Sequence, residues 1–381
     1  MATASDSRLS PLLNTEPRRF YRPELDCLRF FAFFAVFIHH SLAGDAAYYS
    51  ARHVPLGWLI ASAVSAGRFG VDLFFLLSAY LITELLLRER EGFGKLDLRS
   101  FYIRRILRIW PLYFLGILIA WLLHFVVPDQ YFPWTAALGF VFLCGNWLIS
   151  FGAPFHSPML ALWSVSFEEQ FYLFWPALIS RTRRNASLIR ASVVLIVVAT
   201  LSRVFFLPHA RASHSEVAIF TNTLTRLDPL AFGITAAVLL HKQQVTYAWP
   251  WRLTLLLWGT AVWLIAGHYY NLTWTFMLLG YPAISLGALL IFLSFLGTKV
   301  VPAWLRYLGK ISYGLYVFHE LAQLFTVRLF GGYVHTLRAF ALYWSVSLAM
   351  TVAVSALSYK FFESPFLRLK ERFTRVSSRP V

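Results

Sequence analysis

Ten long apolar runs separated by short polar segments make up most of the chain, at residues 26–47, 60–87, 106–127, 167–180, 188–207, 226–241, 252–269, 275–297, 311–330 and 338–361. Most are long enough to cross a bilayer, because ~20 residues of helix rising ~1.5 Å each span ~30 Å of hydrocarbon. The runs are continuous rather than alternating with a period of two, which argues against a transmembrane β-barrel. The pattern predicts an all-α polytopic integral membrane protein, a bundle of about ten transmembrane helices. One further apolar stretch, 135–149, is shorter and is interrupted by Gly145-Asn146-Trp147.

Charge decides how that stretch is read. The 34 Lys and Arg against 18 Asp and Glu give a net charge of +16, an excess that in a soluble chain would point to nucleic acid. Here the cations lie in the loops, and no nucleic-acid partner is expected. With the N-terminus inside and ten crossings, the inner segments hold 27 of the 34 Lys and Arg, as basic short loops do on the cytoplasmic side. An eleventh crossing would put Arg181, Arg183 and Arg184 outside, so 135–149 is expected to be re-entrant or interfacial, with both termini cytoplasmic. Composition agrees, being 58% hydrophobic and 14% charged where soluble domains are about 25% charged; a water-soluble globular enzyme is excluded.

The polar, Arg-containing leader does not resemble a signal peptide. The expected organisation is a cytoplasmic tail at 1–24, one membrane domain at 25–363 and a basic cytoplasmic tail at 364–381. Cys27 and Cys144 show neither metal-ligand spacing nor a disulfide framework, and no metal is expected. The two halves show no inverted repeat of the transporter kind.

Ionisable residues inside such runs are costly and mark sites by default. Arg29 and His40 are eleven residues apart, which places them ~20° from one helix face and ~16 Å apart along it. His40 suits a general base, since imidazole titrates near neutrality; Arg29 fits a functional cation and lipid snorkelling equally. His39 faces elsewhere and reads as structural. In the second run, Asp72 either orients an imidazole or pairs with Arg68 one turn away. Arg104, Arg105 and Arg108 open the third run, where the helix dipole disfavours cations and a bound anion would relieve the conflict. Ser166 and Glu169 read as an ordinary helix cap, leaving Glu168 or Glu169 to reach the core. Arg226, Asp228 and the pair His319-Glu320 are further intramembrane polar sites, each as consistent with a helix–helix bond as with chemistry.

Together, Tyr21-Arg-Pro-Glu-Leu-Asp-Cys-Leu-Arg29 followed by His40, Gly70-Val-Asp-Leu-Phe-Phe-Leu-Leu-Ser78, Arg104-Arg-Ile-Leu-Arg108, Leu162-Trp-Ser-Val-Ser-Phe-Glu-Glu-Gln-Phe-Tyr172, Arg226-Leu-Asp228 and Ile311-Ser-Tyr-Gly-Leu-Tyr316 resemble the membrane-bound acyltransferase-3 family, in order and over about residues 20–370. The resemblance implies transfer of an acyl group, often acetyl, from cytoplasmic acyl-CoA to a hydroxyl of a glycan or related acceptor. Membrane lipid, acyl-CoA and a carbohydrate or other hydroxyl-bearing acceptor are then the expected partners, in a bacterial inner membrane. The family's essential Arg and His carry over to Arg29 and His40, and its basic stretch to Arg104, Arg105 and Arg108 as coenzyme-binding residues. Cys27 and Ala79 stand where the family commonly has glycine. Some relatives carry an additional esterase-like domain at the C-terminus, which is not expected here.

The candidate catalytic residues are thus His40, Arg29, Asp72 and Glu168, and the candidate substrate-binding residues Glu169, Trp163, Arg226, Asp228 and His319. The competing readings are a small-molecule acceptor, or a transporter or flippase in which the same residues form a pathway without covalent chemistry. Thioester-dependent modification separates them.

Overall fold

The computed structural model describes residues 20–182, 184–243, 245–330, 337–374 and 376. The leader up to Arg19, Arg183 of one expected inner loop and the closing Ser377-Ser378-Arg379-Pro380 lie outside the described residues. Among the described residues there is no strand, only an isolated bridge between Tyr131 and His156.

Helix α1 (Pro23–Ser41) starts on a proline and has Glu24 and Asp26 in its first turn and His39 and His40 in its last, the charge order that the helix dipole favours. A short α2 (Ala46–Ser50) leads to α3 (Gly57–Gly67), which runs almost directly into α4 (Gly70–Phe93). Then come α5 (Leu98–Val126), the short α6 (Trp134–Val141) and α7 (Gly145–Ser150), α8 (Leu162–Arg181), α9 (Asn185–Ala212) and α10 (Val217–Phe220). A single 3₁₀ turn at Leu224–Arg226 precedes α11 (Asp228–Leu239) and α12 (Trp249–His268), and a π-helical turn at Phe276–Gly280 feeds α13 (Tyr281–Phe295). The rest is α14 (Ala303–Lys310), α15 (Ser312–Phe330), α16 (Leu337–Ser358) and, past a second π-helical turn, α17 (Ser364–Glu371).

Among the described residues, five helical stretches are long and apolar enough to cross a membrane: Gly57–Phe93, Leu98–Val126, Asn185–Ala212, Phe276–Phe295 and Ala341–Glu371. The helices α1, α8 and α15 have similar lengths but carry Asp26, Arg29, Glu168, Glu169, His319 and Glu320, so packing rather than uniform apolarity sets their place. Residues 135–149 form α6 and α7, separated at Leu143, whose φ is 59°; eight residues of helix reach only ~12 Å. Where the sequence reads a tail after 363, α17 packs against α5.

Helices α1 and α4 form a shared wall. Phe33 and Phe37 of α1 and Phe75 and Leu86 of α4 belong to one buried apolar cluster, which continues into α5, α8 and α15. Leu25, Leu28, Leu73 and Leu77 belong to a second, completed by α12 and α13. Two glycines permit close approaches to α1: a Cβ on Gly70 would land on the Ala32 carbonyl oxygen, and one on Gly309 on that of Asp26. Small residues do this generally where membrane helices pack backbone to backbone.

Candidate active site

A large cavity lies among α1, α4, α5, α8 and α15, with an empty volume of about 1500 Å3 including its open mouth. One end is basic. Arg29, Arg105, Arg108, Lys310 of α14 and Lys370 of α17 all reach its wall. At the other end Ser164 Oγ and the Tyr316 hydroxyl are hydrogen-bonded at 2.7 Å, and the Phe74 ring stands edge-on to Tyr316 at 5.6 Å. Between the ends, Glu168 accepts from Ser78 Oγ at 2.9 Å and from the Tyr172 hydroxyl at 2.7 Å. The Arg105 guanidinium lies 5.3 Å from the centre of the Tyr172 ring, so this tyrosine links the carboxylate to the basic end.

A smaller cavity of about 580 Å3 adjoins the first and adds Glu89 and Arg104 to shared Leu85, Arg105, Arg108 and Lys370. Helical spacing explains the division: Arg108 is one turn from both Arg104 and Arg105, and so borders both spaces. Arg29 borders the first cavity. It holds Asp26 at 3.0 Å, whose other oxygen accepts from the Tyr21 hydroxyl at 2.9 Å.

His40 lies beyond the cavity wall near the end of α1, its side chain 31% accessible. Its Nδ1 is 2.8 Å from His319 Nε2 and 3.3 Å from Glu320 Oε1, and the two imidazoles stack with centroids 5.1 Å apart. His319 Nδ1 donates to the Tyr316 carbonyl at 2.6 Å. A carbonyl only accepts, so that nitrogen carries the proton and neutral His319 offers Nε2 as an acceptor. His40 Nδ1 therefore donates, and its Nε2 keeps a lone pair, the state a general base needs. Tyr316 joins the two halves of the site: its hydroxyl borders the cavity and its carbonyl orients His319.

Several expected residues lie elsewhere. Asp72 neither orients an imidazole nor pairs with Arg68; it takes Arg226 at 2.7 Å, while Arg68 takes Glu216 at 3.1 Å. The turn at Leu224–Arg226 sets Arg226 beside α4, and Asp228, the next residue but one, is gripped by Arg203 at 2.5 and 3.2 Å. All four are at most 1% exposed, so Asp72, Arg226 and Asp228 sit in buried ion pairs that tie α4, α9 and α11 together. Trp163 packs against Phe75 and Phe220 and lines neither cavity. Glu169 accepts from Trp110 Nε1 at 2.8 Å. It does not cap, because α8 starts at Leu162 without a side-chain cap and leaves Ser166 and Glu169 in the second turn. Helix α5 likewise starts eight residues earlier than 106, capped by Asp97; Arg104, Arg105 and Arg108 lie past its first turn, and the dipole conflict vanishes. The case for an anion rests on the cavity instead. Arg104 is held by Glu89 at 3.1 Å and the Phe373 carbonyl at 2.7 Å.

Sequence reasoning did not single out Ser164, Tyr172, Tyr316, Lys310, Lys370 or Arg203. The first three stand inside the quoted motifs, where hydroxyl groups on helices buried in apolar surroundings are the available signal. Lys370 is a polar position on a short helix that hydropathy reads as tail.

The family described as an acyltransferase domain matches residues 22–360. Among curated proteins, the peptidoglycan O-acetyltransferase OatA of Listeria monocytogenes is 29% identical over 387 residues, covering 92% of this chain and 56% of its own length. The O-acetyltransferase OatA of Staphylococcus aureus is 26% identical over 373 residues, covering 91% and 57%. YrhL of Bacillus subtilis, described provisionally as a peptidoglycan O-acetyltransferase, is 28% identical over 388 residues, covering 91% and 55%. The chain thus spans about half the length of the curated relatives it matches. No solved structure matches it.

Proposed function

Since the chain belongs to the membrane acyltransferase-3 family, we propose that it transfers an acetyl group from acetyl-CoA on the cytoplasmic side to a hydroxyl of a cell-wall carbohydrate on the other. The main support is the cavity, with Arg22, Arg29, Arg105, Arg108, Lys310 and Lys370 on its wall and Tyr316, which directly adjoins His319 and so His40, on it too. Arg105, Arg108, Lys310 and Lys370 would hold the coenzyme's phosphates through charge-assisted hydrogen bonds, leaving the slender thioester arm to run past Arg29 and Glu168. The acceptor oxygen bonds to the acyl carbon as the carbon–sulfur bond breaks. His40 Nε2 takes the hydroxyl proton and returns it to the departing thiolate, so the products are ester and thiol. Glu320 and His319 are positioning residues that hold the imidazole through Nδ1, as a carboxylate does in hydrolase triads. The reading requires the basic end inside and His40 outside, as in the ten-crossing arrangement with a membrane domain at 25–363.

The test is mass spectrometry of cell-wall glycan from cells expressing the wild type, His40→Ala or neither protein. An acetyl increment present only with the wild type is the expected result. Equal glycans in all three, with both proteins folded in the membrane, would remove the cell-wall acceptor.

A further inference from the structure

The His40, His319 and Glu320 side chains converge more closely than orientation of a base requires. One ligand atom from each lies within 4.8 Å of the others, and the nearest pairs are 2.8 and 3.3 Å apart. Two imidazole nitrogens and a carboxylate oxygen form a donor set that zinc-class cations take at ~2.0–2.2 Å, which puts neighbouring ligand atoms ~3.3 Å apart in a tetrahedron. Opening the histidine pair by about half an ångström would reach that spacing. His319 also carries the outer-shell bond typical of a metal-bound imidazole, its other nitrogen donating to a backbone carbonyl at 2.6 Å and so aiming the bare Nε2 at the shared point. Partial accessibility of His40 and Glu320, 31% and 20%, leaves room for entry and for water as a fourth ligand.

We infer that His40, His319 and Glu320 form a binding site for a divalent cation of the zinc class, and that the bound cation switches the enzyme off. The first half stands on geometry alone; the second rests on His40 Nε2 being the base. For the cation to occupy His40 Nδ1, the proton there must leave, and in the neutral ring it is then carried on Nε2. No covalent or redox change is involved: one cation is gained and one imidazole changes tautomer. The nitrogen that would accept the hydroxyl proton no longer can.

The purified full chain, stripped with chelator in nanodiscs, is titrated with Co2+ and then Zn2+. Visible absorption reads the coordination sphere and elemental analysis reads the stoichiometry. One equivalent is expected, with cobalt bands displaced by zinc. Glu320→Ala and His319→Ala should each weaken binding by more than the about 10–100-fold typical of losing an outer-shell partner, while His268→Ala, a histidine bound to Ser62, keeps it. Thermal melts establish that each variant is folded. Absence of stoichiometric binding, or binding unchanged in both variants, overturns the site. Turnover measured on the same metal-free protein stands apart from this: active metal-free enzyme that zinc does not slow overturns the inhibitory half alone, and inactive metal-free enzyme overturns the proposed reaction and leaves the site standing.

Discussion

By taking the single proton of His319, the Tyr316 carbonyl decides which nitrogen of His40 is free, so the orientation of one peptide unit on α15 sets the chemistry of a side chain on α1. Glu320→Gln should lower kcat about tenfold or more, within the ~10²–10⁴-fold that a positioned base supplies, and leave the KM for acetyl-CoA nearly unchanged. Steady-state kinetics in proteoliposomes read the split; a raised KM with normal kcat would place Glu320 in substrate binding instead. The arginines divide differently. Arg105→Ala and Arg108→Ala should each raise the donor KM about ten- to hundredfold, the ~1.5–3 kcal/mol of a hydrogen bond to a charged group. Arg104→Ala should act mainly on stability, because its guanidinium is committed to Glu89 and Phe373.

Between elements, the buried pairs Asp72–Arg226 and Arg203–Asp228 are the polar fastening of α4, α9 and α11. Asp72→Ala leaves an uncompensated buried guanidinium, which costs ~3–5 kcal/mol. The expected result is a lowered melting temperature and poor recovery from detergent, read by size exclusion, with no specific change in donor KM. This fastening also shows what the sequence could not convey. The face shared by Arg29 and His40 is legible because both lie on one helix and obey its period, and the polar motifs mark where helices meet. Asp72 and Arg226 are 154 positions apart, and no local rule pairs them, so Asp72 reads as a partner for the nearest cation in sequence. Helix starts fail for a related reason: the first turns of α5 and α8 carry Arg99, Ser100 and Ser164, which hydropathy counts as loop although Asp97 caps one and apolar neighbours bury the other.

For the molecule as a whole, the arrangement of charge and helices makes a topological prediction. In a Cys27→Ala/Cys144→Ser background, a cysteine at His156 should react with an impermeant maleimide from outside intact cells, and one at Gln243 only after permeabilisation. The reverse pattern would mean that α6 and α7 together supply an eleventh crossing. A second consequence concerns the layer of Phe74, Ser164 and Tyr316 that closes the cavity. Cells store work as an ion gradient across the membrane, and a bundle with a large cavity inside it is a standing threat to that store. Ser164 and Tyr316 meet there through one hydroxyl–hydroxyl contact backed by the Phe74 ring, and on the proposed reaction a thioester arm would have to part that contact while its bulky nucleotide filled the basic end behind it. A layer that admitted the reagent would on that reaction serve as an electrical insulator as well, and leakiness rather than lost turnover would be the cell's first complaint if it were removed.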